Sequence, residues 1–154
     1  MAVTKQVLFH VGNELYGIDI AKVKGIEKYG VTTPVPNAPS YIEGIINLRG
    51  DVIPIFSLRA KFNLPARKID DKTQMIIVSV NDMLVAFVVD DVSEIVELND
   101  DAFSNTPVIV QSEETSYIEK IANVNKQLVI TINVEGVFSE VEKESMKSLV
   151  KQEA

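Results

Sequence analysis

Arg49 is the residue of this sequence best suited to a specific contact, because it stands at a tight turn between two strand-like segments. A guanidinium presents a planar fork of N–H donors that holds a carboxylate through two parallel hydrogen bonds. Gly44 and Asn47 lie on the segment that leads into the turn. The alternative is a pairing within the chain, with Glu27 or Glu43, that fixes the hairpin. The sequence therefore predicts either a partner-binding residue or a structural ion pair at this position.

Two apolar residues, Val23 and Ile26, are three positions apart in a segment that fits a helical turn or a bent strand. A shift of 69 positions places Val92 and Ile95 at the equivalent points of a second, similar segment. Apolar residues in both copies favour a partly buried position. The alternative is an exposed apolar patch that contacts another protein. The pattern leaves both interpretations open.

The remaining reactive side chains do not form a catalytic pattern. His10 lies in the apolar strand VLFHV, where it is best explained as a surface-facing strand residue. The chain has no phosphate-binding loop, no dinucleotide-binding glycine pattern and no Gly-x-Ser-x-Gly segment. Pairs of acidic residues adjoin turns, where carboxylates accept backbone N–H groups, and they lack the ligand spacing of a calcium loop. These pairs are 70–71, 90–91, 100–101 and 113–114. We therefore expect no enzyme activity, no metal and no cofactor.

Composition restricts the environment and the partners. The 154 residues include 22 Asp or Glu against 15 Lys or Arg, a formal charge of −7 that argues against nucleic acid or an anionic membrane as the main partner. No apolar run approaches the roughly 18 residues that a membrane-spanning helix needs. The absence of cysteine suits a cytoplasmic protein. We expect a soluble intracellular protein without direct insertion into a membrane.

The chain contains an internal repeat that positions these residues. Segment 41–58, YIEGIINLRGDVIPIFSL, aligns without a gap with segment 117–134, YIEKIANVNKQLVITINV. Hairpin-like residues 7–20 also recur 69 positions later. Each copy comprises about five short strands separated by turn signals, which is typical of small barrels rather than of a parallel sheet. The sequence therefore predicts an all-β fold.

The domain boundaries follow from the same repeat. A first barrel is expected over about 7–64 and a second over about 72–134, with a polar stretch between them, or with one terminal strand exchanged between the barrels. Charged and apolar residues then alternate at helical spacing over 135–151, which predicts a C-terminal helix.

Three segments, GIDIAKV, YIEGIINLRGDVIPIFSLRAKF and MLVAFVVDDVSEIVEL, resemble the bacterial chemotaxis coupling protein family CheW. The resemblance covers nearly the whole chain. It implies a single domain over 1–154, formed by two five-stranded SH3-like β-barrels side by side with short helices. It also implies a non-enzymatic scaffold that couples the cytoplasmic tip of chemoreceptors to the regulatory domain of the histidine kinase CheA, in the cytoplasm at membrane receptor arrays.

By position, the resemblance assigns Gly44, Asn47 and Arg49 to the receptor side, and Val23 and Ile26 to an apolar contact with the kinase.

The sequence departs from this family at two points. Ser57 replaces an acidic residue that the family usually has, and Lys120 stands where the second copy often has glycine. A rival interpretation is a small ligand-binding or regulatory β-barrel module that uses the cleft between the halves. A polar pocket lined by Arg49 and carboxylates would support that alternative.

Overall fold

The computed structural model describes residues 3–30, 32–65, 68–104, 117–139, 142–144 and 147. The strands are β1 Val3–Val11, β2 Glu14–Asp19, β3 Val23–Lys28, β4 Ile42–Leu48, β5 Asp51–Ser57, β6 Gln74–Val80, β7 Met83–Val89, β8 Asp91–Asn99, β9 Phe103–Ser104, β10 Ile118–Val124 and β11 Gln127–Ile132. One short α-helix, α1 Leu58–Lys61, follows β5, and single 3-10 turns occupy Ile20–Lys22, Asp100–Ala102 and Val134–Val137. The prediction of an all-β fold is confirmed.

The strands form two sheets. Sheet A has the order β8-β1-β2-β11-β10-β9, and sheet B has the order β3-β6-β7-β5-β4. The pairings β2–β11 and β5–β7 are parallel, and the others are antiparallel. Each sheet therefore combines strands from the first half of the chain, residues 1–68, with strands from the second half, residues 69–154.

The predicted barrel boundaries of 7–64 and 72–134 are consequently wrong. Hairpin β1–β2 belongs to sheet A, whereas the strands that follow it in the same half, β3, β4 and β5, belong to sheet B. Hairpin β6–β7 belongs to sheet B, whereas β8, β10 and β11 belong to sheet A. Turn residues and strand patterns specify which neighbours form a hairpin, but the choice of sheet depends on long-range pairing. The two copies of the repeat have exchanged their hairpins.

The exchange preserves the strand register in both sheets. Ile26 pairs with Ile76 in sheet B, and a shift of 69 positions maps this pair onto Ile95 and Val7, which pair in sheet A. Both ladders also contain a β-bulge at the equivalent place, between Val23 and Gly25 in sheet B and opposite Leu8 and Phe9 in sheet A. The two sheets therefore repeat one arrangement of five strands, to which sheet A adds the short strand β9 at its edge.

Strand alternation explains where the core lies. Val7, Phe9 and Val11 project from one face of β1 into a central core shared by both sheets, while Leu8 projects from the other face into a small core of sheet A. Strand β6 does the same in sheet B, where Met75 belongs to the separate small core. The chain thus has one core between the sheets and one on the far side of each sheet.

In each copy of the repeat, one phenylalanine after the last strand contacts the other sheet. Phe62, which follows α1, stacks on Tyr16 and Tyr117 with ring centroids 5.0 and 4.7 Å away. Phe138, 76 positions later, meets Phe56 edge-on at 4.6 Å. Burial raises the pKa of the Tyr16 phenol to about 12, with smaller contributions from Tyr117 and the Glu14 carboxylate. These aromatic contacts join the two halves of the repeat.

The predicted C-terminal helix over 135–151 is only partly described. Its first residues form the 3-10 turn Val134–Val137, capped by the Asn133 side chain, which accepts the N–H of Glu135 at 3.2 Å. This turn ends at Phe138, whose backbone is extended, so it does not continue into a helix as predicted. Residues 142–144 and 147 are helical, and much of the predicted helix lies outside the described residues. Within the described ranges, no helix is long and apolar enough to cross a membrane.

Candidate protein-interaction site

The turn between β4 and β5 places Arg49 at the tip of a hairpin. Arg49 has φ 54° and Gly50 has φ 90°, the positive values that a two-residue hairpin turn requires. The side chain of Asn47 closes the turn, because its Oδ1 accepts the Gly50 N–H at 3.1 Å. Asn123 does the same for the Lys126 N–H at 3.2 Å in the repeated hairpin. The side-chain oxygen of Asn47 is therefore used to stabilise the turn itself.

The Arg49 guanidinium is exposed although it has an internal partner. Its Nη2 lies 3.6 Å from Oε1 of Glu27 on β3, and 80% of the Arg49 side chain is accessible to solvent. Exposed ion pairs of this kind typically contribute about 0 to 1 kcal/mol. The internal pairing considered from the sequence thus exists with Glu27, and it leaves most of the guanidinium available to a second protein.

Gly44 is buried beneath the proline-rich connection that precedes β4. Thr33 and Ile45 exchange two backbone hydrogen bonds of 2.9 Å, which holds the connection against the edge of sheet B. A Cβ on Gly44 would lie 2.6 Å from the Thr33 carbonyl oxygen, and φ of Gly44 is 155°. Lys120, at the equivalent position of β10, instead donates its N–H to Thr131 Oγ1 at 2.9 Å. Gly44 is therefore placed to position the connection rather than to face a partner.

The substitution Gly44→Ala is expected to lower the free energy of unfolding by about 1 to 3 kcal/mol, the usual cost of forcing extra volume into a packed site. Amide exchange at Ile45, whose N–H bonds to the Thr33 oxygen, should accelerate as the connection detaches. Gly25→Ala is the matched control, because a Cβ there would meet its neighbours at an ordinary 3.9 Å. Equal stability of the two variants would show that the connection moves freely.

Val23 and Ile26 lie on β3, half-buried against the central core. The bulge between Val23 and Gly25 changes the alternation of side chains, so that two residues three positions apart face the same side of the strand. The partly buried interpretation of these residues is consistent with this placement. In the second copy, Ile95 is more exposed, at 53%. Glu27 follows Ile26 directly, so the Arg49–Glu27 contact brings the hairpin tip beside this strand.

A charged cluster that the sequence did not reveal joins the two sheets. Asp90 lies between β7 of sheet B and β8 of sheet A, and its carboxylate accepts two bonds from Arg59, of 3.1 and 2.7 Å. The same carboxylate accepts the Gly12 N–H at 2.9 Å, while the Asp90 N–H donates to the His10 carbonyl at 2.9 Å. From the sequence, Asp90 was expected to accept backbone N–H groups of its own turn. Instead it accepts the N–H of Gly12, in the β1–β2 hairpin of the first half.

The pocket beside this cluster does not match the one that the rival interpretation requires. Its lining residues include Glu43, Arg59 and Asp90, and Arg49 is not among them. The Arg59 guanidinium is already engaged, since it also donates to the Pro65 carbonyl at 2.8 Å. In the part of the chain that the structure covers, no group of three or more His, Cys, Asp or Glu residues is arranged to hold a metal ion.

The fold is a double-barrel domain, in which two β-sheets with exchanged hairpins enclose a common core. Its exposed arginine hairpin lies beside a half-buried apolar strand, and together they form a surface suited to protein contacts. Residues 5–142 match the CheW-like domain, and the chain belongs to this family. The chain is 35% identical to the chemotaxis protein CheW of Bacillus subtilis over 97% of this chain and 94% of that protein. The corresponding Klebsiella aerogenes protein is 33% identical, with 88% and 82% covered.

Solved structures give the same result. The crystal structure of the scaffolding protein TtCheW from Thermoanaerobacter tengcongensis superposes with a TM-score of 0.83 at 32% sequence identity, covering 90% of this chain and 94% of that one. The expected pair of SH3-like barrels is therefore confirmed.

Proposed function

We propose that the protein is a non-enzymatic adaptor that couples chemoreceptors to the histidine kinase CheA in bacterial chemotaxis. The relatives named as chemotaxis proteins and the structural neighbour named as a scaffolding protein support this proposal. The adaptor works in the cytoplasm and is recruited to membrane receptor arrays through its protein partners. Its contacts are modest in area and exchange within the array, as expected for transient signalling interfaces.

The single observation that carries the proposal is the state of Arg49. Positive φ is costly for residues other than glycine, asparagine and aspartate, and the repeated hairpin has Asn125 at the equivalent position. Arg49 holds this conformation with φ 54° while its side chain is 80% exposed. The turn thus presents a guanidinium, whose planar fork can hold a carboxylate through two hydrogen bonds, whereas the exposed cation of the repeated turn is the Lys126 ammonium, a point charge without that fork. We assign Arg49 to a carboxylate on the receptor tip.

The other predicted residues act around this contact. Asn47 closes the turn that presents Arg49, and Gly44 allows the proline-rich connection to lie against β4. Both are positioning residues for the receptor contact. Val23 and Ile26 provide the apolar surface of β3 for the regulatory domain of CheA, with part of each side chain retained in the central core.

Arg49→Ala is expected to weaken receptor binding at least about tenfold, because a hydrogen-bonded charge contributes about 1.5 to 3 kcal/mol. The free energy of unfolding should change by less than about 0.5 kcal/mol, since the side chain is exposed. Titration of a receptor signalling-tip fragment against each variant, followed by calorimetry, measures both quantities. Arg49→Lys keeps the charge but loses the planar fork, and should give an intermediate affinity.

Lys126→Ala is the matched control, because Lys126 is also exposed in a hairpin turn with positive φ. Unchanged affinity for Arg49→Ala, or a loss equal to that of Lys126→Ala, would remove Arg49 from the receptor site.

A binding assay with both partners tests the function as a whole. The protein should bind receptor tips and the CheA regulatory domain separately, with Kd values of tens of micromolar or tighter, on the order expected for transient contacts. Failure to bind either partner at such concentrations would refute the adaptor proposal.

A further inference from the structure

We propose that the two halves of this chain recognise each other as separate units. Two copies of the chain then exchange halves and form a domain-swapped dimer that contains two complete double-barrel domains. In this dimer, residues 1–68 of one copy pair with residues 69–154 of the other. The inference rests on topology and charge, and does not depend on the proposed function.

The pairing between the halves is extensive. Four ladders join them: β1–β8 and β2–β11 in sheet A, and β3–β6 and β5–β7 in sheet B. The central core also takes buried side chains from both halves, such as Phe9 and Phe56 from the first and Phe87 and Phe138 from the second. Neither half has a complete sheet or a complete central core by itself. The halves therefore meet along an interface that resembles an obligate heterodimer.

The halves carry opposite charge. Residues 1–68 contain nine Lys or Arg and five Asp or Glu, for a formal charge of +4, whereas residues 69–154 contain six and seventeen, for −11. Charges of opposite sign favour association of the first half with the second, and like charges disfavour association of two second halves. This difference selects the correct pairing whether the two halves belong to one chain or to two.

The ion pairs follow the same division. Among the described residues, four pairs join a Lys or Arg of the first half to an Asp or Glu of the second. They are Lys5–Glu97 at 3.8 Å, Lys22–Glu135 at 3.8 Å, Arg59–Asp90 at 2.7 Å and Lys61–Glu142 at 2.9 Å. His10 and Asp91 are in contact across the same boundary at 2.7 Å. A dimer with exchanged halves would retain every one of these contacts.

The exchange changes only the path of the connection between the halves. After Phe62, the chain must either fold back to β6 of the same copy or continue to a second copy. Because the contacts are otherwise identical, the balance depends on protein concentration, as for other exchanges of identical elements. Four ladders must open before the halves separate, so exchange requires unfolding and should be slow in the native protein.

Engineered disulfides in the full-length protein provide the test. The natural chain has no cysteine, and Lys5 and Glu97 are exposed register partners on β1 and β8. Antiparallel partners have Cα atoms about 4.5 to 5.5 Å apart, which suits a disulfide. A Lys5→Cys chain and a tagged Glu97→Cys chain are unfolded together, refolded at increasing concentration and then oxidised. We expect a disulfide-linked heterodimer whose yield rises with concentration.

The control pair combines Lys5→Cys with Lys126→Cys, because Lys126 lies in the β10–β11 turn and is not a register partner of residue 5. The partner pair should exceed this background several-fold after joint refolding, and should not exceed it when folded proteins are simply mixed. Equal yields from the two pairs at every concentration would overturn the proposal.

A single chain with both Lys5→Cys and Glu97→Cys must form its internal disulfide and keep its native circular dichroism. Should it fail to do so, Lys28→Cys and Gln74→Cys, which are antiparallel register partners on β3 and β6, replace the pair, and the same comparison decides the result.

Discussion

Asp90→Ala is expected to lower the free energy of unfolding by about 3 to 5 kcal/mol, the range for removing one member of a buried ion pair. Only 10% of the Asp90 side chain and 19% of the Arg59 side chain are accessible to solvent. The substitution would leave the Arg59 guanidinium without its two carboxylate bonds and would also remove the acceptor of the Gly12 N–H. Desolvated groups without partners are the cause of the large cost.

Urea unfolding measures this effect, and the neighbouring residue provides its control. Asp91 contacts His10 at 2.7 Å, but the two side chains are 39% and 37% exposed, so Asp91→Ala should cost less than about 1 kcal/mol. The double variant Arg59→Ala with Asp90→Ala should cost less than the sum of the two single variants, since each single variant strands the other charge. A strictly additive result would show that the pair does not act as a unit.

Phe138→Ala is expected to cost about 3 to 5 kcal/mol, the usual loss for removing a buried phenylalanine ring. Phe138 is 5% exposed and packs on Phe56 and Phe87, with ring centroids 4.6 and 5.8 Å away. Its removal would open a cavity between the sheets at the point where the second half covers sheet B. Thermal unfolding followed by near-ultraviolet circular dichroism would report the loss.

Phe62→Ala is the internal comparison, because Phe62 occupies the equivalent position 76 residues earlier and is only half-buried. It should cost less than Phe138→Ala, although both rings are lost from aromatic contacts. A larger cost for Phe62→Ala would mean that its stack with Tyr16 and Tyr117 contributes more than the contacts of Phe138 with Phe56 and Phe87.

Local features of this fold were predictable from the sequence, and long-range features were not. The turn at Arg49 follows from a two-residue segment with glycine between strands, and the repeat of 41–58 in 117–134 correctly indicated equivalent hairpins. The assignment of hairpins to sheets failed, because β1–β2 has the same internal pattern whichever sheet it joins. That choice depends on pairings such as β2–β11, which join residues more than 100 positions apart.

The candidate site shows the same limit. Arg49 and its possible partner Glu27 were both identified, because a charged turn residue has few acidic neighbours within reach. The spacing of Val23 and Ile26 was ambiguous, since a bulged strand and a helical turn both place residues three positions apart on one side. Gly44 gave no sign of its burial, because the backbone that approaches it comes from Thr33, in a connection without a strand pattern.

The exchanged hairpins also affect how the protein is made. When the ribosome has synthesised residues 1–68, hairpins β1–β2 and β4–β5 are available, but β3 still lacks β6 and β2 still lacks β11. Strands β10 and β11 complete sheet A only after residue 132 has been added. Unpaired strand edges on a nascent chain are sites of aggregation. The edge of β2 therefore stays without its partner strand β11 for most of translation.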